Sequence, residues 1–498
     1  MQQAVAQLAV LLPPHALRQC EQLAPLLHRY SSVKFAVQSD SPVLTLSAKA
    51  NTIPKNFVFT NFLGIGALMD IARPLYLERL TARRENGAVK VITGIRRCGK
   101  TYLLYDIYGG HLRSEGVKPE QILEIPLDDE SFSSLRDPAS LLAYVKEKVA
   151  RRPEMHYVFI DEIQYAIARE ELRSPNRPPR LYGAMNGMLR LGNADIYVTG
   201  SNSRFLSSDV LTEFRGRGDE VRVRPLSFSE FFPAHGADFA DAWADYVAFG
   251  GLPRILSQRS EEAKARYLGN LLSEVYLRDI EERYDLRGDA ALGNVLDVLA
   301  SAAGSLTNPS NIAKTFSSKG MGGIDDKTVR KYIDFLKDAF LIEEARRYDV
   351  KGRKYIGSPF KYYFEDLGLR NARLNFRQQE ETHLMENAIY NELIGRGYNV
   401  DVGVVYHEEK DNEGKRKRKA LEIDFVCNMA SKRYYIQSAF SIPDAAKMEQ
   451  EQTSLVRSGD SFKKIVVVKD RVRPYHTDRG ILVLALQDFL LDPGAIDW

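Results

Sequence analysis

Cysteine is scarce, with Cys20, Cys98 and Cys427 the only three in 498 residues. They make no CxxC pair and no disulfide framework, which argues against a stapled secreted scaffold and fits a reducing compartment. No apolar run reaches the roughly 18–20 residues that span a bilayer, and the opening MQQAVAQLAVLLPPH lacks the basic leader of a secretory signal. The sequence therefore reads as cytoplasmic, with no membrane partner. Eight histidines are scattered without metal-ligand spacing, which argues against a zinc site. There is no G-x-S-x-G elbow and no Cys/His pairing for nucleophilic catalysis. Neither sign of charge dominates: the formal net charge is +3, and such a balance neither demands nor excludes nucleic acid, because contacts depend on local patches.

Apolar residues make up 44% and charged residues 27%, the composition of a globular protein of about two to four domains at this length. Residues 1–68 stand apart. They carry few charges, a Ser-rich stretch (SSVKFAVQSDSPVLTLS) and no sustained period of 3.6 or 2. At Met69 the text changes abruptly, so either Met69 is the native start or the preceding residues form an amino-terminal arm. From Pro74 to about His235, the apolar strands VKVITG, ILEIPLD, HYVFIDE and ADIYVTGS alternate with helical stretches. That alternation predicts a parallel sheet covered on both faces. A helical region follows to about residue 304, then two helices, a turn and two short strands, then mixed strand and helix from Ser358 to Trp498. The charged stretch HEEKDNEGKRKRKA reads there as a solvent-exposed hairpin tip.

The segment Gly94-Ile95-Arg96-Arg97-Cys98-Gly99-Lys100-Thr101 fits G-x-x-x-x-G-K-[ST] in full, between a buried strand and an amphipathic helix. Glycines let the backbone curl so that its N–H groups point at phosphate oxygens, at the positive end of a helix. Lys100 brings a point charge to the β- and γ-phosphates of ATP, and the Thr101 hydroxyl binds Mg²⁺. Arg96 and Arg97 either add positive potential or belong to an exposed loop. Cys98 either makes the loop sensitive to thiol reagents or is simply a small residue tolerated there. About 60 residues on, Tyr157-Val-Phe-Ile-Asp161-Glu162 places two carboxylates at the end of a buried strand, where ligands bind in open α/β sheets. Asp161 is expected to hold Mg²⁺, and Glu162 to orient and deprotonate the attacking water. The strand ending Thr199-Gly-Ser201-Asn202 offers Asn202 or Ser201 to the γ-phosphate or the water, or is a polar turn. In Thr212-Glu-Phe-Arg215-Gly-Arg217, either arginine is a candidate to answer transition-state charge, with Arg217 preferred.

GIRRCGKT, VFIDEIQ, TGSNSRFLSSDV, FRGRGDEVRVRPLSFSEF and YVAFGGLP together resemble a prokaryotic AAA+-type ATPase family related to STAND NTPases, whose members carry a carboxy-terminal domain of unknown function. The resemblance runs from about Arg73 to near the end. It implies an ATPase core, a helical lid, a winged-helix segment and a nuclease-like carboxy-terminal domain. It also places the arginine of the family's GR pair at Arg217, and its members commonly begin near Met69. The expected architecture is α/β: a P-loop NTPase parallel sheet (69–235), a helical lid (236–304), a winged helix (305–357) and a restriction-endonuclease-like domain (358–498).

The winged helix also follows from the residues. Asn308-Pro-Ser-Asn-Ile-Ala-Lys-Thr-Phe reads as a capped first helix, and the helix after Ile324 is of recognition type, with wing strands around Val350–Arg353. Lys327, Arg330 and Lys331, with Arg346, Arg347, Lys351 and Arg353 at the wing, make DNA a candidate partner; a structural joint is the other reading. In the last domain, Glu386 on a helix and Asp424 on a strand follow the restriction-endonuclease order, which uses Glu, Asp and E-x-K to bind metal and activate water. Glu422 joins them as a third candidate ligand for one Mg²⁺. At the E-x-K position the chain has Gln437-Ser438-Ala439. Gln is a poor ligand for a hard cation and Ala cannot polarise water, so a degenerate fold that binds nucleic acid or a partner protein is expected over cleavage. The oligomeric state is left open.

Overall fold

The computed structural model describes residues 71–168, 171, 179–200, 218–286, 290–318, 320, 323–410 and 416–498, and in the preceding segment the backbone of three strands. The chain divides between residues 70 and 71 into two compact units. In the first, β1 (Ser32–Gln38), β2 (Ser41–Ser47) and β3 (Phe57–Phe59) form an antiparallel sheet with β2 in the centre. The Ser-rich stretch, which carries no clear period, thus supplies the first two of these strands.

The second unit contains two sheets among the described residues. The first comprises β4 (Val89–Thr93), β5 (Ile122–Pro126), β6 (His156–Asp161), β7 (Ala194–Thr199) and β8 (Gly218–Arg222), all parallel, in the order β5-β6-β7-β4-β8. Its inner strands are rich in Val, Ile and Tyr because both faces are covered. Val158 and Ile160 of β6 face helices α3 (Pro138–Ala150) and α4 (Arg180–Leu189), whereas Tyr157 and Phe159 join the opposite cluster. That opposite face packs on α2, a continuous helix formed by Lys100–Tyr102, a π-helical stretch Leu103–Tyr108 and Gly109–Ser114. Before the sheet lies α1 (Pro74–Thr81), and Asp137 caps α3 by accepting the Ser140 N–H.

After the sheet come α5 (Phe228–His235), α6 (Phe239–Phe249), α7 (a continuous run of Glu261–Asn270, Leu271–Leu277 and Arg278–Tyr284) and α8 (Ala290–Ser301). Next are α9 (Pro309–Ser318), α10 (Asp326–Asp338) and a hairpin of β9 (Ile342–Asp349) and β10 (Lys354–Phe364). The remaining elements are α11 (Leu367–Arg373), α12 (Glu381–Gly395), β11 (Asn399–Lys410), β12 (Arg416–Met429), β13 (Lys432–Ala439), α13 (Ala445–Val456), β14 (Lys463–Val468), β15 (Tyr475–His476), β16 (Leu482–Ala485) and α14 (Leu486–Leu491).

The hairpin is continuous with the strands after it. β9 pairs in parallel with β11, Arg347 opposite Val402, and the second sheet runs β10-β9-β11-β12-β13-β14-β16-β15. The boundary expected at 357/358 therefore falls inside β10. Pro359 sits in a register shift between Ile356 and Lys361, after which pairing with β9 resumes. A bulge is one of the few places where a strand tolerates proline. Among the described residues no helix is long and apolar enough to cross a membrane.

Two acidic neighbours after β10 join the sheets. Glu365, buried, accepts from Arg222, and Glu343 of β9 lies 2.7 Å from the Arg222 guanidinium. Arg224 bonds Glu343 as well and lies 3.7 Å from Glu365. Burial alone would raise Glu343; Arg222 and Arg224 overcome it and hold the carboxyl at about 2. The next residue, Asp366, caps α11 through the Leu369 N–H at 3.0 Å and also accepts the Gly251 N–H at 2.8 Å.

Burial pushes Asp366 from 3.8 up to about 6, against the backbone N–H groups that favour its charge. A raised acid takes up a proton on folding, so its contribution is full below pH 3.8 and is lost as pH rises through 6. Asp366→Asn is therefore expected to gain stability relative to the parent by about 3 kcal/mol between pH 4 and 7. Urea unfolding of both chains across that range measures it, and a pH-independent difference would contradict the assignment.

Candidate functional site

The loop from Gly94 to Thr101 leaves β4 and enters α2. Gly94 has φ +142° and Gly99 φ +97°, values that L side chains rarely adopt. Space at Gly94 is also closed: a Cβ there would lie 2.0 Å from the Val223 carbonyl oxygen, just beyond β8. Arg73, itself 3% exposed, donates to the Cys98 carbonyl at 3.0 Å and the Arg224 carbonyl at 2.8 Å, and pairs with Glu230 at 3.1 Å. It fastens the loop to the end of β8 from below. Ile95 and Cys98 are fully buried. Burial pushes the Cys98 thiol up, which favours the reading of a small packed residue over a reactive thiol. Arg96 pairs with Asp279 of α7 at 3.0 Å, and its carbonyl accepts the Tyr276 hydroxyl at 2.6 Å. Arg97 is exposed, with φ +64°.

The ammonium of Lys100, 4% exposed, donates to the carbonyls of Gly94 at 3.0 Å and Ile95 at 3.1 Å. The loop is thereby pre-formed around it. The Thr101 hydroxyl donates to Asp161 Oδ2 at 2.8 Å. Burial raises the Asp161 carboxyl, with Thr199 and Thr101 donating against the shift. Oxygen donors around one buried carboxylate are the set a hard cation such as Mg²⁺ takes, so the residues present fit that ion. Glu162 follows in the left-handed region at φ +50°, a strain of about 1–3 kcal/mol that structures retain mostly at functional sites. Its carboxylate accepts from the Gln164 amide.

Thr199 was not singled out from the sequence. It lies on β7, which separates β4 from β6. Its hydroxyl donates to Asp161 Oδ1 and accepts the Glu162 N–H at 3.0 Å, joining the two carboxylates to the strand between them. The only signal in the sequence is a polar residue closing an apolar strand beside the Gly200 turn. Asn202, Ser201, Arg215 and Arg217 lie outside the described residues.

Elsewhere, α10 buries Val329, Tyr332, Ile333 and Leu336 and leaves Lys327, Arg330 and Lys331 exposed on its outer face. Arg346, Lys351 and Arg353 are exposed at the hairpin, and Arg347 is half-buried. Glu386, Glu422 and Asp424 do converge, but around the ammonium of Lys361. Among the described residues no group of three or more His, Cys, Asp or Glu is arranged to hold a metal ion, which corrects the expectation of a Mg²⁺ site at these three acids.

Comparison with known proteins places this geometry in context. A family model for an AAA domain matches residues 86–232, and one for a domain of unknown function matches 240–380. The latter covers α6 to α11, including the β9–β10 hairpin, not the carboxy-terminal residues where the sequence resemblance put such a domain. An uncharacterized protein of Haemophilus influenzae is 31% identical over 426 residues, 84% of this chain and 98% of its own. Another, of Methanocaldococcus jannaschii, is 25% identical over 405 residues, 76% of this chain and 84% of its own. Among solved structures, the Aeropyrum pernix ORC1 protein in complex with DNA aligns at 14% identity and a TM-score of 0.29, over 60% of this chain and 91% of that one. A likeness that distant carries no functional argument.

Thr199→Val keeps the shape and removes the hydroxyl, leaving the Glu162 N–H without its acceptor. A loss of about 1–3 kcal/mol in urea unfolding is expected, with Thr199→Ser close to the parent. Equal stability of the valine variant would show that the hydroxyl does not organise this corner.

Proposed function

We propose that this chain, which belongs to the family of its Haemophilus influenzae relative and matches an AAA domain over residues 86–232, binds and hydrolyses ATP with Mg²⁺ and couples nucleotide state to movement of the domains beyond the first sheet. The observation that carries this reading is the Thr101–Asp161 contact at 2.8 Å beside the buried Lys100 ammonium. Lys100 would exchange the Gly94 and Ile95 carbonyls for phosphate oxygens. Thr101 and Asp161 would hold Mg²⁺, which when bound neutralises charge on the phosphates. Glu162 would accept a proton from the attacking water, and Thr199 would keep Asp161 and Glu162 in register. Asn202 and Arg217 are proposed to complete the site, as contact to the γ-phosphate or water and as the residue answering developing charge.

We read α9, α10 and the β9–β10 hairpin as a winged helix whose outer face, with Lys327, Arg330 and Lys331, meets DNA phosphates. The residues from α12 onward are read as a restriction-endonuclease-like domain that binds nucleic acid or a partner protein. A second reading, a slow nucleotide-gated DNA-binding switch, is favoured by one feature: one oxygen of the Glu162 carboxylate is engaged by the Gln164 amide.

Phosphate release by residues 69–498 with Mg²⁺-ATP, with and without duplex DNA, separates the two. The leading reading expects turnover that DNA stimulates and that Glu162→Gln lowers by at least about a hundredfold. Tight ATP binding with negligible turnover and ATP-dependent DNA retention would instead establish the switch. Absence of ATP binding would overturn both.

A further inference from the structure

Lys361 lies on β10, outside the run α12-β11-β12-β13-α13-β14 that carries the restriction-endonuclease-like order. Its side chain is 4% exposed, and its ammonium sits 2.8 Å from Glu386 Oε1, 2.7 Å from Glu422 Oε1 and 3.8 Å from Asp424 Oδ1. Glu422 and Asp424 are two apart on β12 and share a face; Glu386 comes from α12. Tyr363 donates to Glu386 Oε1 at 2.6 Å, and the Ser438 N–H donates to Asp424 Oδ2 at 2.8 Å. Gln437, at the place of the expected glutamate, accepts the Asp424 N–H at 3.4 Å and contributes no charge. The buried Glu386 and Asp424 and the half-buried Glu422 therefore meet one positive charge, and it belongs to a lysine. Burial and Glu386 push Asp424 well above the usual carboxylate range, while Lys361 is held protonated by the three acids against its own burial.

A divalent cation at this point would need oxygens at about 2.0–2.6 Å, several of them at once. Here the Glu386 and Glu422 oxygens stand at hydrogen-bond distance from an ammonium, with Asp424 Oδ1 at 3.8 Å, and that ammonium occupies the point of convergence. We propose that Lys361 is the resident cation of this centre, replacing a divalent metal, so that the domain is a metal-independent lock and becomes a divalent-cation site only when Lys361 is removed. The lock fastens β10 to α12 and β12. It makes the β9–β10 hairpin part of the carboxy-terminal body, in keeping with the parallel pairing of β9 to β11. A nuclease mechanism through a metal at Glu386, Glu422 and Asp424 does not fit these residues.

The test uses the full chain carrying Asp161→Ala, which removes the proposed cation ligand at the nucleotide loop, titrated with Mn²⁺ while free Mn²⁺ is followed by electron paramagnetic resonance. The chain with Lys361 is expected to bind no Mn²⁺ that Asp424→Asn abolishes. Lys361→Met is expected to gain one Mn²⁺ per chain, lost again when Asp424→Asn is added. A stoichiometric Mn²⁺ site in the Lys361 chain that Asp424→Asn removes would overturn the proposal, as would a folded Lys361→Met chain that gains none. If Lys361→Met does not fold, the Lys361 chain compared with its Asp424→Asn form still decides.

Discussion

The phosphate loop can take its shape only because the end of β8 comes up against Gly94. The Val223 carbonyl oxygen occupies the place where any side chain at position 94 would begin, 2.0 Å from its Cβ. Arg73 then ties the Cys98 carbonyl and the Arg224 carbonyl to one buried guanidinium. Backbone groups normally satisfied within helices or sheets are here bonded across a gap between a loop and a strand end, as buried polar groups must be. The loop's conformation and the position of residues 222–225 are thus one variable.

That same strand end meets the second sheet. Arg222 and Arg224 reach Glu343 and Glu365 at the two strands of the β9–β10 hairpin, and Asp366 reaches the Gly250–Gly251 corner after α6. Gly250, with φ +77°, leaves no room for a side chain, because the Asp366 carboxylate would stand 2.3 Å from its Cβ. Arg224 and Glu365 are buried, and charges linked in this way resist being separated one at a time, since removing a partner leaves an uncompensated charge. A shift in the loop has a short path to the hairpin: Gly94 to Val223, Arg222 and Arg224 to Glu343 and Glu365.

Much of the first sheet was legible in the sequence because its inner strands are mostly apolar, and β6 and β7 end in polar residues of the site. VKVITG, HYVFIDE and ADIYVTGS correspond to β4, β6 and β7. β8 was not legible: GDEVR buries little besides Val221 and lies at the sheet edge. The phosphate loop and the Asp161–Glu162 pair could be read because spacing alone defines them. Thr199 could not, since its role arises from strand order, which places β7 between β4 and β6. Lys361 was hidden for a similar reason. It is distant in sequence from Glu422 and Asp424, and Pro359 disguised the second half of its strand.

Amide hydrogen exchange of the Glu162→Gln chain with and without Mg²⁺-ATP tests most directly whether the loop and the hairpin act together. Coupling predicts that nucleotide changes protection in residues 94–103 and also in 342–349 and 361–366, and that Glu365→Ala abolishes the second change while keeping the first. Protection changes confined to the loop, with the hairpin indifferent to nucleotide, would contradict it.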